Sequence, residues 1–374
     1  MTLLIIIIVF SGLYFLLIST VIFGIFRAGK PIKSAYFKDT VFISIIISIR
    51  NEEKNIRNIL DDIEKQNFNK SEFELIIIDD SSEDLSYSIA ENYCSKNYNF
   101  RLLKQDENKT GKKAALTKAI KNCQGELIIA TDADCRVGRN WLSSILENYR
   151  KTGGKMIICP VKLSYNTIFE AFQSLEFMSI SGITVGSAGL NSPVMCNGAN
   201  LVYEKKIFTE LQNPFNSKYT SGDDMFLMMQ IKNIYSSAIH YNDSNQAIVK
   251  TKACNNFRDF IAQRLRWASK GKKGYSDFFT NLNSFAVVSA NLLIPTSFIL
   301  FLFAHDNFIT YLIPILLKFI AEFVLTFIMC IKMKEKKLIF LFPILFFIYP
   351  FYILFIGILS IFFKPKWKGR QIVS

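Results

Sequence analysis

The chain has 374 residues, of which 50% are hydrophobic and 35 are Phe, and its formal net charge is +13. That length holds a catalytic domain with further segments, and the basic surplus suits nucleic acid, an anionic membrane surface or a phosphorylated substrate. No arginine-rich or Cys/His finger pattern supports nucleic acid, the 7 Cys carry no Cys-x-x-Cys pair and so read as reduced cytosolic thiols, and His240 and His305 are too few for a histidine metal site or triad.

Residues 3–26 are almost wholly apolar and long enough to cross a bilayer as a helix. A cleaved signal would put basic residues ahead of the run and a small-residue cleavage site behind it; here Arg27, Lys30 and Lys33 follow the run. The positive-inside bias then predicts an anchor over 1–28, with the amino terminus outside and the next domain in the cytoplasm. From 41 to 163 the pattern alternates. Strands are predicted at 41–49, 73–78, 100–103, 126–130 and 155–163, with helices at 51–66, 84–96, 112–122 and 140–149. Alternating units of this kind predict an α/β fold with a mainly parallel, doubly wound sheet that binds ligands beyond the carboxyl ends of its strands.

Three of those ends carry polar clusters: Arg50-Asn51-Glu52, Asp79-Asp80, and the pair Asp132 and Asp134. Alternate side chains of an extended segment share a face, so both carboxylates of the last pair can point at one object. A divalent cation on a diphosphate is the natural object, since carboxylate oxygens suit Mg²⁺ or Mn²⁺. A solvated turn after a strand is the plainer reading of an isolated pair.

Residues 164–280 are less regular. A helix is predicted over 169–180, after which Gly182, Gly186 and Gly189 loosen the chain, and 196–203 reads as a tight turn entering a strand. Asp223 and Asp224 precede the apolar-periodic run 225–231 at a helix start, where capping alone would account for them. Residues 257–269 form an amphipathic helix carrying Gln263-Arg264-Leu265-Arg266-Trp267; a basic interfacial helix with Trp at the membrane surface is its bland counterpart. Spans at 285–304 and 308–331 are joined by 305–307, and Lys332, Lys334, Lys336 and Lys337 then face the cytoplasm. The stretch 338–363 contains Pro343 and Pro350. A hairpin broken near Pro350 is preferred there over a single span, because it returns Lys364, Lys366, Lys368 and Arg370 to the cytoplasm. The predicted organisation is an anchor at 1–28, a catalytic domain at 40–255, an interfacial segment at 256–280, a membrane region at 285–363 and a basic tail at 364–374.

In order along the chain stand Ile46-Ile47-Ser48-Ile49-Arg50-Asn51-Glu52-Glu53, Ile77-Ile78-Asp79-Asp80-Ser81-Ser82-Glu83-Asp84, Thr131-Asp132-Ala133-Asp134, Gly222-Asp223-Asp224 and Gln263-Arg264-Leu265-Arg266-Trp267. Over about 40–270 this set resembles the inverting glycosyltransferases of family 2, of the membrane-integrated kind with a GT-A fold. The resemblance implies a Rossmann-like, mainly parallel domain with one amino-terminal and two to four carboxyl-terminal transmembrane helices. It implies transfer of a sugar from a nucleoside-diphosphate sugar, with UDP favoured, to a membrane lipid, lipid-linked or glycan acceptor. The site would face the cytoplasmic leaflet of a plasma membrane of bacterial type, with Mg²⁺ or Mn²⁺ as cofactor. By the same resemblance Asn51, Glu52, Asp79 and Asp80 line the nucleotide pocket, with Asp80 on the base. Asp132 lies near ribose and diphosphate, Asp134 with Asp132 takes the metal, and Lys112, following Gly111 at a helix start, lies near phosphate. Asp224 is implied as the general base with Asp223 shaping its surroundings. Gln263, Arg264, Arg266 and Trp267 close over the diphosphate and the acceptor mouth; Gly198 and Asn200 resemble a turn beside the acceptor, a placement that turn geometry or packing explains equally.

Two departures stand out: Ser48-Ile49-Arg50 replaces a Pro-Ala-Tyr-like lead, and Asp223 stands where Glu is commoner. A dehydrogenase fingerprint and a P-loop are both missing, since Arg50-Asn51-Glu52-Glu53 follows the first strand and Asp106 stands five before Gly111. A processive polysaccharide synthase and a catalytically silent membrane scaffold are the alternatives; the few spans favour a lipid acceptor over chain extrusion.

Overall fold

The computed structural model describes residues 2–29, 40–106, 111–216, 218–219, 221–235, 237–270, 278–303, 308–363, 366–367 and 370–371. Lys30, Lys33, the 305–307 link, Lys364, Lys368 and residues 271–277 of the interfacial segment lie outside the described residues. The chain begins with helix α1 (Thr2–Arg27) and then alternates through β1 (Ile43–Ile49), α2 (Ile56–Glu64), β2 (Phe73–Asp79), α3 (Ser86–Lys96), β3 (Phe100–Lys104), α4 (Lys112–Asn122), β4 (Leu127–Asp132) and α5 (Trp141–Thr152). Strands β1 and β2 are buried along nearly their whole length, as expected of parallel strands covered by helices on both faces.

The stretch 155–163, expected as one strand, is two: β5 (Met156–Ile158) and β6 (Val161–Ser164). Pro160 between them has no N–H for a continuous ladder, and its carbonyl instead accepts the Val249 N–H at 3.0 Å. A second correction concerns α6 (Ile168–Gly189), which runs unbroken for 22 residues through the glycines expected to loosen it. Gly186 and Gly189 serve close packing against α1, while Gly182 lies against Leu325 and Met329 further along the chain. A Cβ at Gly186 would stand 2.3 Å from the Val21 carbonyl oxygen, one at Gly189 1.9 Å from that of Gly24, and one at Gly24 2.1 Å from that of Gly186. The two backbones therefore touch, the geometry that small residues permit between membrane helices.

Next come β7 (Leu201–Glu204), α7 (Lys205–Glu210), α8 (Asp223–Ile234), β8 (Ile239–Tyr241) and β9 (Val249–Lys252). The main sheet has the order β3-β2-β1-β4-β7-β5-β8, with β7 antiparallel to both neighbours and the remaining pairs parallel. Strands β6 and β9 form a separate parallel pair.

Helices α9 (Phe257–Lys270), α10 (Phe278–Phe303), α11 (Phe308–Lys332) and α12 (Phe342–Phe362) complete the bundle, followed by the short antiparallel pair β10 (Lys366–Trp367) and β11 (Arg370–Gln371). Among the described residues, four segments are long and apolar enough to cross a bilayer: Ile7–Arg27, Thr280–Ile299, Leu312–Lys332 and Lys336–Phe362. The hairpin expected at Pro350 is absent, because α12 is one continuous helix. Pro343 occupies its first turn, where a missing N–H costs nothing, and Pro350 is buried against the rest of the bundle.

The sheet domain is tied to the end of α11. Lys162 Nζ lies 2.6 Å from Glu335 Oε1, the Tyr165 hydroxyl donates to Glu335 Oε2 at 3.1 Å, and Lys332 Nζ lies 2.7 Å from Asp243 Oδ2. Within the bundle, buried Lys318 donates to Glu322 at 2.8 Å and the Tyr14 hydroxyl donates to the same carboxylate at 2.7 Å, so that the charges among apolar helices answer one another. The α1–α6 contact yields a direct expectation. Gly186→Leu should destabilise the chain by about 1–3 kcal/mol through overpacking against backbone that cannot yield. Gly12→Ala, whose new methyl meets nothing within 4 Å, should leave thermal unfolding in detergent unchanged.

Candidate active site

Strands β1, β2 and β4 are parallel neighbours in a register that sets Ile49 beside Asp79 and Ser48 beside Asp132, so the three polar clusters share one edge. The loops leaving β1 and β2 are stitched together there. The Asn51 N–H donates to Ser82 Oγ at 3.1 Å, the Glu83 N–H to Asn51 Oδ1 at 2.9 Å, and the Glu52 N–H to Ser86 Oγ at 2.6 Å. Asn51 (φ 52°) and Ser81 (φ 60°) occupy the left-handed region, which lets both loops turn sharply at the strand ends. Asp80 is buried; its Oδ1 accepts the Gly111 N–H at 2.8 Å, and its carbonyl oxygen accepts Arg50 Nη1 at 2.8 Å. Asp79 uses Oδ2 for the Ser82 N–H at 3.2 Å. Among the described residues, Asp79 Oδ1 and both amide atoms of Gln105, at the end of β3, are buried without partners. Buried polar atoms left open at a strand edge suit a ligand with a hydrogen-bonding rim of its own.

Deeper in the cleft the charges crowd. Asp132 Oδ1 accepts Lys112 Nζ at 2.6 Å, and Asp134 Oδ2 accepts the Thr251 hydroxyl at 3.1 Å. Burial, then the neighbouring carboxylates of Asp132 and Glu52, push the Asp134 carboxyl above its ordinary range. Asp223 and Asp224 form the first turn of α8 behind Gly222, whose φ of 84° lets the chain swing into the helix. Asp224 Oδ2 accepts the Gly198 N–H at 3.2 Å and its Oδ1 the Met225 N–H at 2.9 Å, which orients the carboxylate. Burial opposes the charge on Lys112, but Asp132 and Asp223, with Asp224 beyond, hold the amine protonated above its usual value. One ammonium thus links the acid pair at the end of β4 to the acid pair at the start of α8.

The oxygen-only donor set fits a hard divalent cation. Among the described residues no group of three or more His, Cys, Asp or Glu side chains is poised around one point. Mg²⁺-type binding uses one or two carboxylates supplemented by phosphate oxygens and water.

The remaining motif residues fall into distinct environments. Arg264 is buried and turned toward α6, with Nη2 2.6 Å and Nε 3.2 Å from Glu176 Oε2. Its Nη1 donates to Gln263 Oε1, and the guanidinium carbon lies 4.2 Å from the Trp267 ring centre. Arg264 is thereby committed to protein partners, unlike the phosphate-facing role implied for it. Arg266 is half-buried on the same helix. Asn200 is fully buried: Trp141 Nε1 donates to its Oδ1 at 3.2 Å, while its Nδ2 donates to the carbonyls of Pro160 and Ala247, each at 2.8 Å. Asn200 therefore staples three segments beneath the turn, and Gly198 alone of that turn touches the acids. Sequence reasoning missed Gln105, Thr251 and Glu176, each of which meets the site only through chain segments distant in sequence. Asn200→Ala should cost about 1–3 kcal/mol in chemical unfolding, since it takes the partner from a buried indole N–H and from the Ala247 carbonyl, while the Pro160 carbonyl keeps the Val249 N–H.

Residues 44–212 match the sequence profile of glycosyl transferase family 2. Glycosyltransferase AglE of Haloferax volcanii is 25% identical over 187 residues, 49% of this chain and 59% of that protein. The dolichyl N-acetyl-α-D-glucosaminyl phosphate 3-β-D-2,3-diacetamido-2,3-dideoxy-β-D-glucuronosyltransferase of Methanococcus voltae is 27% identical over 250 residues, 63% of this chain and 75% of that one. TarS of Staphylococcus aureus, a poly(ribitol-phosphate) β-N-acetylglucosaminyltransferase, is 32% identical, but the chain spans only 17% of its length. Among solved structures, the mannosyltransferase PcManGT of Pyrobaculum calidifontis, in complex with GDP-Man and Mn²⁺, superimposes with a TM-score of 0.57 at 16% identity. That likeness covers 92% of this chain and 99% of the other, and it establishes a shared fold.

Proposed function

We propose that the chain, whose residues 44–212 match the glycosyl transferase family 2 profile, transfers a sugar, with inversion, from a nucleoside-diphosphate sugar to a membrane lipid or lipid-linked acceptor. The observation that carries this reading is the meeting of Asp132, Asp134, Lys112, Asp223 and Asp224 in one cleft beyond the carboxyl ends of β1, β2 and β4. Inverting transfer is an in-line displacement at the anomeric carbon, which needs a base for the acceptor hydroxyl and stabilisation of the departing diphosphate. Asp224, aimed by the Gly198 and Met225 N–H groups at a helix start, takes the hydroxyl proton. Lys112 is placed to meet diphosphate oxygens without leaving the acids that hold its charge. Asn51, Glu52, Asp79 and Asp80 form the rim on which the nucleoside sits, with UDP favoured by resemblance. Mg²⁺ or Mn²⁺ held by Asp134 and Asp132 supplies neutralisation of the leaving group when bound.

A lipid acceptor is supported by how close the motif helix lies to the membrane bundle, where Phe260 of α9 stacks on Tyr352 of α12 with ring centres 5.4 Å apart. The dolichyl-linked acceptor in the name of the methanococcal relative agrees. Arg27 ends α1, and Lys332 at the end of α11 pairs with Asp243 of the sheet domain, so basic helix ends lie on the domain's side. By the positive-inside bias, those basic ends support a cytoplasmic domain.

A donor panel tests the reading: purified full-length chain in detergent, with a total lipid extract as acceptor, should release nucleoside diphosphate and stop when the metal is chelated. Products one sugar larger than the acceptor support single transfer, whereas long polymers would indicate a processive synthase. A chain that releases nothing from any donor would be a scaffold. Asp224→Asn should keep donor affinity while turnover drops about 10²–10⁴-fold; full activity in that variant would rule out Asp224 as the base.

A further inference from the structure

The ion pair between α6 and α9 is almost sealed from water, with Glu176 5% and Arg264 4% exposed. Two charges withdrawn from solvent need good geometry to offset their desolvation, and this pair has it: three guanidinium-to-carboxylate contacts at 2.6, 3.2 and 3.4 Å. A guanidinium has only donors, so the amide it meets through Nη1 must present its carbonyl. Gln263 is thereby fixed with its oxygen toward Arg264 and its NH₂ edge turned away. The same guanidinium lies flat against Trp267, whose ring also packs on Phe177, the residue after Glu176. One turn earlier on α6, Gln173 clamps the approach to α9: its Nε2 donates to the Cys254 carbonyl at 2.8 Å and its Oε1 accepts the Cys254 N–H at 3.0 Å. The rotation of α9 about its axis is therefore keyed to α6 at two points, and α6 in turn is locked to α1 by the glycine contact.

We infer that Glu176 is a positioning residue for sugar transfer, acting through Arg264 to set the Gln263 amide and the Trp267 ring on the helix that follows β9, whose Thr251 holds Asp134. This rests on the sugar-transfer reading above. Glu176 reaches none of the nucleotide-pocket residues through the contacts described, so its loss should act on catalysis and leave donor binding alone.

The test is a double-mutant cycle on the full chain in nanodiscs, with wild type, Glu176→Gln, Gln263→Ala and the double variant, reading kcat, donor affinity and thermal midpoint. Glu176→Gln should lower kcat by roughly 10²-fold, the scale on which a slight misplacement acts, with donor affinity unchanged. Gln263→Ala should add little further loss in that background, because the two residues act through one chain of contacts. Additive losses, an unchanged kcat, or a parallel fall in donor affinity would overturn the inference. Should Glu176→Gln fail to fold, Glu176→Asp keeps the charge while retracting it, and a kcat equal to wild type would overturn the inference equally well. A wild-type chain that releases no nucleoside diphosphate would instead sink the sugar-transfer reading, so the two failures are distinguishable.

Discussion

Like charges forced into one space are the constraint on which the rest of this structure depends. Burial, with Asp132 and Glu52 close by, makes the Asp134 carboxyl resist ionisation, and Asp223 and Asp224 approach from a different part of the chain. Left to itself such a cluster would repel, and the fold answers it with the ammonium of Lys112. Everything around the cleft serves to hold that balance. The parallel register sets the strand ends level, Thr251 holds one oxygen of Asp134, and the Gly198 turn steadies Asp224. A site arranged this way is poised for a ligand that brings negative oxygens together with positive charge of its own.

Much of the sheet domain was legible because its signals are local. β1 is a continuous β-branched run, as a strand buried on both faces must be, and Asp79-Asp80 and Asp132 mark where strands emerge from the core. What could not be read depends on contacts between distant segments. Gly182, Gly186 and Gly189 look like a break in isolation, and only α11 against the first and α1 against the other two turn them into a packing surface. Pro350 looks like a hinge, yet α12 runs through it because the surrounding bundle accommodates the lost hydrogen bond. The antiparallel β7 also escaped, since the run 201–204 carries no mark of its direction.

The candidate site divides along the same line. Residues at the ends of strands and helices announced themselves by type and spacing. Arg264 and Asn200 carried the right identities inside recognised motifs, yet their side chains are consumed by Glu176 in one case and by Trp141, Pro160 and Ala247 in the other. A motif records that a residue matters without saying whether it touches a ligand or supports the residue that does.

The sheet domain does not hang from the membrane region by a loose tether. Lys162, Tyr165 and Asp243 grip the end of α11, and Gly24 lies against Gly186 with no side chain between the two backbones. Helices in such contact cannot slide past each other by a fraction of a turn without collision, so the cleft keeps a fixed height relative to the apolar helices. For any acceptor rooted in the bilayer, the length of spacer between its anchor and its reactive hydroxyl then becomes a ruler, and molecules that are too short or too long are turned away before any chemistry begins.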